Sequence, residues 1–140
     1  MLNNLLSPRL NALVNEHVPV LLLRLGAGIL ILTHGLPKVM KVLQGDMAFG
    51  DPIGLGPGFS LVLSALAEGI GGLLVVLGLG TRIASIFLII NMAVAFFFFH
   101  AADPFGAKEL PLFFLIAFIT IFLTGGGKYS LDNKLFNEQA

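Results

Sequence analysis

Ionisable and amide side chains occur inside stretches of this sequence that are otherwise apolar enough to enter a lipid bilayer. An ionised side chain at the middle of a membrane helix costs about 2.5 to 3.5 kcal/mol on insertion scales, whereas a Leu or Ile gains only about 0.3 to 0.6. Such residues usually face the bundle interior, where they pair with each other or bind a ligand. The candidates for a buried polar core or ligand site are therefore Arg24, His34, Glu68, Asn91 and His100.

Arg24 and Glu68 carry opposite charges on two neighbouring apolar segments. Arg24 lies about 9 Å inside the start of its predicted helix, and Glu68 lies near the middle of the next one. We expect the two to pair across antiparallel helices, directly or through a water. Small residues at helical spacing from Glu68, such as Gly71 and Gly72, allow close packing or leave room for a ligand. The pair either fixes helix packing alone or forms part of a ligand or proton site.

A second polar group is predicted at the opposite end of the bundle. His34 and His100 lie near the exits of their segments, and an antiparallel arrangement brings them to one outer face. A quinone headgroup, which needs hydrogen-bond donors near its carbonyl oxygens and an apolar slot for its ring, suits histidines at this depth. The spacing contains no HxxxH or ExxH pair, so we expect no metal site. No catalytic residue is identified, and the rim of this face is assigned to Lys38, Asp51, Asp103 and Glu109.

Four apolar segments must position these side chains. Each has roughly the 17 to 25 residues that a helix needs to cross a bilayer. The chain is 56% hydrophobic and 11% charged, with a mean hydropathy of +0.95. The sequence therefore predicts an all-α fold, an integral membrane antiparallel four-helix bundle forming a single domain over residues 1–140. The predicted spans are residues 18–36, 57–79, 83–102 and 110–126.

The connections between the segments differ in length. Residues 39–58 are rich in Gly and Pro and predict a long surface connection, with a short helix at its start. The second and third segments are joined by little more than residues 80–82, which predicts a tight hairpin. No proline interrupts the middle of a segment, which argues against a transporter. The first seventeen residues predict a short interfacial helix that begins near Ser7 and Pro8, with no cleavage site following it.

Composition excludes several kinds of function. Eight basic residues balance eight acidic ones, so no net field favours nucleic acid, and we expect no nucleic-acid partner. The chain has no cysteine, which excludes disulfides, thiolate nucleophiles and dithiol redox chemistry within it. Any redox role must use a cofactor or a partner. Basic residues near the helix ends favour cytoplasmic termini by a margin of four to three: Arg9, Arg82, Lys128 and Lys134 against Lys38, Lys41 and Lys108.

Three motifs in order resemble the DoxX family of small bacterial membrane proteins. They are LLLRLGAGILILTHGLPKVM, AEGIGGLLVVLGLGTRIAS and GGGKYSLDNKL. The family pattern of an Arg and a His-Gly-x-x-Lys stretch, then Glu-x-x-Gly-Gly with Gly-x-x-Thr-Arg, then Ser-Leu-Asp, is matched residue by residue. The matching positions are Arg24, His34, Gly35, Lys38, Glu68, Gly71, Gly72, Gly78, Thr81, Arg82, Ser130, Leu131 and Asp132.

The resemblance implies a four-helix protein of the bacterial inner membrane with both termini in the cytoplasm. It also implies a quinone-interacting or accessory subunit of a redox or oxidative-stress system, with ubiquinone or menaquinone as ligand and a periplasmic or membrane redox protein as partner. A membrane scaffold without a small-molecule ligand is the alternative, and a small proton-linked carrier is the third. Homo-oligomers are compatible with each of them.

Overall fold

The computed structural model describes residues 17–136, and within that range the chain is helical with no strands. Four helices are long and apolar enough to cross a membrane: α1 (His17–Leu43), α2 (Pro57–Leu77), α3 (Thr81–Phe99) and α4 (Phe105–Thr124). A short helix, α5 (Leu131–Phe136), follows. The predicted all-α membrane bundle is therefore confirmed. The predicted N-terminal interfacial helix lies outside the described residues.

The bundle buries an apolar core and exposes an apolar exterior. Ile31, Val75, Leu88 and Phe118 are buried where the helices meet. Large apolar side chains also cover the outside of each helix, for example Leu22, Ile70, Phe87 and Ile116, all more than half exposed. A soluble bundle would place polar residues there. The exterior therefore fits hydrocarbon, as the hydropathy predicts.

Glycines bring α1 and α2 into close contact. A side chain on Gly35 would lie less than 3.0 Å from the backbone of Glu68 and Gly69. Near the other end of the same interface, a side chain on Gly28 would meet Val76 at 2.7 Å. This pairing fixes the antiparallel register of the two helices, because backbone can approach this closely only where no Cβ intervenes.

The hairpin between α2 and α3 depends on left-handed glycines. Gly78 ends α2 with φ 70° and Gly80 precedes α3 with φ 57°. Most other residues avoid this conformation. We call this end of the bundle, which also holds α5, the hairpin face, and the opposite end, which holds connections 44–56 and 100–104, the loop face.

Two helix boundaries differ from the prediction in a way that matters for the site. Helix α1 runs through Pro37 to Leu43, instead of ending at residue 36 before a separate surface helix. Helix α4 begins at Phe105, five residues before the predicted start, so Pro111 lies further inside the helix than expected. Prolines thus lie inside two spans, Pro37 six residues before the end of α1 and Pro111 six residues after the start of α4, and neither lies at the middle of a span. Each proline removes one backbone hydrogen bond of its helix, which membrane helices tolerate where the freed group meets protein or a cavity.

Candidate ligand-binding cavity

A cavity of about 550 Å³ lies in the loop-face half of the bundle. All four long helices and the 44–56 connection contribute to its walls. It forms because Pro57–Ala65 packs mainly against α1, while the contacts of α2 with α3 fall mainly on Leu66–Leu77. Its walls are mostly apolar, and the polar side chains that line it are His34, Lys38, Ser60, Ser64, Glu68, Asn91 and His100.

Glu68 is the buried centre of a polar cluster on the cavity wall. Its side chain is 3% exposed, and both carboxylate oxygens lie 2.6 Å from Lys38 Nζ. Oε1 also accepts hydrogen bonds from Asn91 Nδ2 at 2.8 Å and Ser64 Oγ at 3.2 Å. Every partner comes from a different turn or helix, so the cluster joins α1, α2 and α3. The carboxylate is tolerated here because its charge is paired and hydrogen-bonded.

Lys38 belongs to this cluster and not to the outer rim that the sequence suggested. Its ammonium also donates to Ser64 Oγ at 3.0 Å and lies 5.6 Å from the centre of the Phe49 ring. The Lys38 side chain is 22% exposed, so the aliphatic stem crosses the wall while the charge stays near Glu68. Lys38 was assigned to the rim because α1 was expected to end at residue 36, two residues before Lys38.

The predicted pair between Arg24 and Glu68 was wrong. Because Gly35 lies opposite Glu68, Arg24 is displaced along α1 by eleven residues, about 16 Å at 1.5 Å per residue. Arg24 is buried at the hairpin face, where a side chain on Gly78 would touch its guanidinium. It donates hydrogen bonds to the carbonyls of Gly126, Val76 and Tyr129, the last at 2.8 Å.

Asp132 completes the hairpin-face cluster. Its carboxylate accepts hydrogen bonds from the backbone N–H groups of Gly80 at 2.7 Å and Thr81 at 2.9 Å, which begin α3. Burial raises the pKa of Asp132, but the hydrogen bonds from Thr81 and Gly80 and the charge of Arg24 lower it by more, so it lies below its ordinary value. Through these hydrogen bonds, Arg24 and Asp132 hold the C-terminal segment, residues 126–132, against the hairpin between α2 and α3.

The two histidines line the cavity from different elements. His34 on α1 meets Phe114 edge to face, with ring centroids 6.1 Å apart. His100 follows the last turn of α3, and its Nδ1 lies 2.7 Å from Asp103 Oδ2. Both imidazoles can therefore present a nitrogen to a molecule inside the cavity.

Asp51 and Glu109, also assigned to the rim, do not line the cavity. Asp51 accepts hydrogen bonds from Gly56 N–H at 3.0 Å and Ser60 Oγ at 3.3 Å, which orders the chain entering α2. Glu109 is exposed and does not line the cavity. Within residues 17–136, no three His, Asp or Glu side chains converge as metal ligands would.

Helix irregularities surround the cavity. A π-helical turn, Leu66–Gly71, contains Glu68, and a second, Ala95–Phe99, directly precedes His100. Pro37 precedes Lys38, and Pro111 lines the cavity and leaves the carbonyl of Ala107 without its usual helical donor. Such interruptions are tolerated in membrane helices where they line a cavity or pack on protein, and π turns often mark functional sites.

These features define a small multi-pass membrane protein with a ligand-sized, mostly apolar cavity inside its bundle, whose wall carries a few polar side chains. A sequence model of the DoxX family matches residues 20–101. The chain belongs to the DoxX family, as its motifs indicated.

Curated relatives extend the similarity over most of the chain. The chain is 35% identical over 120 residues to "Putative oxidoreductase CatD" of Bacillus subtilis. The aligned region covers 85% of this chain and 88% of that protein. It is 32% identical over 124 residues to "Inner membrane protein YqjF" of Escherichia coli, with 86% and 94% covered. An uncharacterised Haemophilus influenzae protein is 31% identical over 127 residues, with 83% and 90% covered. No solved structure matches the chain.

Proposed function

We propose that this chain is a membrane subunit of a redox system and that its loop-face cavity binds the headgroup of a quinone, ubiquinone or menaquinone. The observation that carries the proposal is the cavity itself, about 550 Å³ inside a membrane bundle. Its volume falls within the roughly 300 to 1,000 Å³ of typical ligand pockets. Apolar walls with a few polar groups suit a flat ring that bears two polar oxygens.

The polar side chains of the cavity differ in whether their hydrogen-bonding atoms are already used by other residues. Lys38, Ser64 and Glu68 are engaged with one another, so they form the polarised wall of the cavity. His34 makes a ring contact with Phe114, and His100 uses only Nδ1 for Asp103. The two imidazoles are therefore the groups we assign to hydrogen bonds with the quinone oxygens. The two imidazoles come from different helices, α1 and the end of α3, so each can be assigned to one of the two quinone oxygens.

Electron transfer requires a second protein in this proposal. The chain has no cysteine and so cannot pass electrons through a thiol pair of its own. A membrane or periplasmic redox partner would exchange electrons with the quinone at the loop face, where the cavity and the exposed connections lie. The name of the Bacillus subtilis relative, "Putative oxidoreductase CatD", supports this assignment.

We further propose that the protein resides in the bacterial inner membrane with both termini in the cytoplasm. Lys38 is bound to Glu68 inside the bundle, so it no longer counts as a charge on the loop face. The basic residues near the helix ends then favour the hairpin face as cytoplasmic more clearly than the full count did. A reporter enzyme active only in the periplasm, fused to the C-terminus, should be inactive, and activity would reverse the orientation.

Ligand-induced thermal stabilisation tests the quinone site. Purified protein in detergent micelles is melted with and without decylubiquinone and menadione. A ligand at a hundred times its Kd should stabilise the fold by about 2.7 kcal/mol. The Ala67→Phe variant fills the cavity and should lose this stabilisation, whereas Leu73→Phe, exposed on the same helix and outside the cavity, should keep it. Failure of both ligands to stabilise the unaltered protein would favour the scaffold.

A proton-linked carrier is the second candidate, because prolines and π turns interrupt all four helices around the cavity. Interrupted helices are common at the binding sites of secondary transporters. Proteoliposomes loaded with a pH-sensitive dye test this function. Solute-driven acidification that is lost in Glu68→Gln would support a carrier, and its absence would remove that candidate.

A further inference from the structure

His100 lies between the cavity and the surface of the loop face. It lines the cavity, and its Nδ1 lies 2.7 Å from an oxygen of Asp103, which is exposed and does not line the cavity. The second ring nitrogen, Nε2, lies on the opposite edge of the imidazole. Nε2 is therefore the nitrogen of His100 that a ligand in the cavity can reach.

The contact with Asp103 decides what Nε2 can do. A carboxylate only accepts hydrogen bonds, so Nδ1 must carry the hydrogen between them. In the neutral imidazole, Nε2 then has a lone pair and accepts a hydrogen bond. In the protonated imidazolium, Nε2 carries a hydrogen and donates one.

The two redox forms of a quinone differ in the partners they can use. A hydroquinone hydroxyl can donate or accept a hydrogen bond, whereas a quinone carbonyl only accepts one. A buried group facing the wrong partner loses its hydrogen bond and bears the cost of desolvation.

We propose that His100, positioned by Asp103, selects the redox form of the quinone that the cavity binds and makes this selection depend on pH. Neutral His100, whose Nε2 only accepts, favours the hydroquinone, and protonated His100, whose Nε2 donates, accommodates both forms. The proposal rests on the quinone site proposed above and adds to it a specificity-determining residue.

Other titratable groups near the cavity have their own partners. Lys38 and Glu68 are held in a direct ion pair. Lys108 of α4 donates to the carbonyl of Ala101 at 2.7 Å, and Asp51 is hydrogen-bonded to the start of α2. His34 is the other imidazole on the cavity wall, so the test must separate it from His100.

The test compares the Kd values of decylubiquinone and decylubiquinol, the latter kept reduced with dithionite under argon, for the full chain in micelles. The ratio of the quinone Kd to the quinol Kd should rise about tenfold between about pH 5 and pH 8. His100→Gln, whose amide can turn to donate or accept, should make the ratio independent of pH. His34→Gln should weaken both forms and keep the pH dependence.

Asp103→Asn distinguishes positioning from a merely structural role. The amide of Asn can donate as well as accept, so Nδ1 no longer has to carry the hydrogen, and the rise of the Kd ratio with pH should shrink. A constant ratio in the unaltered protein, or a pH dependence that survives in His100→Gln, would overturn the selection by His100 while leaving the quinone site intact. If neither form binds, the quinone site and this inference both fail.

Discussion

Lys38 Nζ lies 2.6 Å from both carboxylate oxygens of Glu68. Lys38 directly follows Pro37 and lies two residues beyond the predicted end of the first helix. This ion pair joins α1 to the π-helical turn of α2 and forms part of the cavity wall. The continuation of α1 past Pro37 is what places the ammonium at the level of Glu68. The residues that stabilise the bundle here are also the residues that make the cavity polar.

Removal of Lys38 should destabilise the protein more than removal of an exposed lysine. Lys38→Met leaves Glu68 buried without its countercharge, and we expect a loss of about 3 kcal/mol in the free energy of unfolding. Unfolding in mixed micelles, followed by circular dichroism, measures the change. In the double variant Lys38→Met with Glu68→Gln, part of the loss should be recovered, because no unpaired charge remains.

Lys41→Met provides the matched control on the next turn of the same helix. Its ion pair with Asp46, at 3.4 Å, is exposed, so the effect should stay within about 1 kcal/mol. Equal losses for the two lysine variants would contradict the buried pair.

Arg24 should hold the C-terminal segment in place through the shape of its guanidinium. Arg24→Lys keeps the charge, but one ammonium cannot replace donors aimed at carbonyls on separate segments. We expect hydrogen exchange of the amides in residues 126–132 to accelerate by about tenfold, and mass spectrometry can follow this region. Arg82→Lys, which loses one exposed hydrogen bond to Phe122, should change little. Unchanged exchange in Arg24→Lys would refute the anchoring role.

Asp132 should make stability depend on pH at the acidic end. Its folded pKa lies below the ordinary value near 3.9, because hydrogen bonds from Thr81 and Gly80 outweigh the effect of burial. The stabilisation is fully present above the unfolded pKa and is lost as pH falls through the lower folded pKa. Asp132→Asn should therefore melt below the parent protein at pH 7, and the gap in Tm should narrow below about pH 4. A gap that stays constant down to pH 3 would be inconsistent with this linkage.

Gly35 should tolerate no side chain. In Gly35→Ala the new Cβ would meet backbone atoms of Glu68 and Gly69, which cannot rotate away, so α1 and α2 must separate. We expect a loss of about 3 kcal/mol or failure to fold, the upper range for overpacking. Gly26→Ala is the control, since nothing lies within 4 Å of its added Cβ and alanine favours helix by up to about 1 kcal/mol. We expect the Tm of Gly35→Ala to lie below that of Gly26→Ala, and the reverse order would contradict the close contact at Gly35.

The four spans could be predicted because hydropathy and length are local properties of the sequence. Long runs of apolar residues must cross a bilayer as helices, and the glycines of the second connection require a tight hairpin. The same reasoning identified Arg24 and Glu68 as buried polar residues, since their cost in lipid depends only on their position within a run.

The partners of Arg24 and Glu68 could not be predicted in the same way. Pairing depends on the register of α1 against α2, which the contact of Gly35 with the Glu68 backbone fixes. It also depends on whether the first helix continues through Pro37. The helix does continue, although proline has a low intrinsic helix propensity, so local sequence preference alone would not have predicted it. A longer first helix would have placed Lys38 one turn beyond His34 and made it a candidate for Glu68.

By itself, the sequence determined that this protein spans a membrane with four helices and buries several polar groups, because transfer from water to lipid is summed residue by residue. Only the tertiary structure decided that Lys38 pairs with Glu68, that Arg24 anchors the C-terminal segment, and that His100 and Asp103 meet beside a cavity. Contacts between distant residues follow from how helices pack, and packing is a property of the whole bundle.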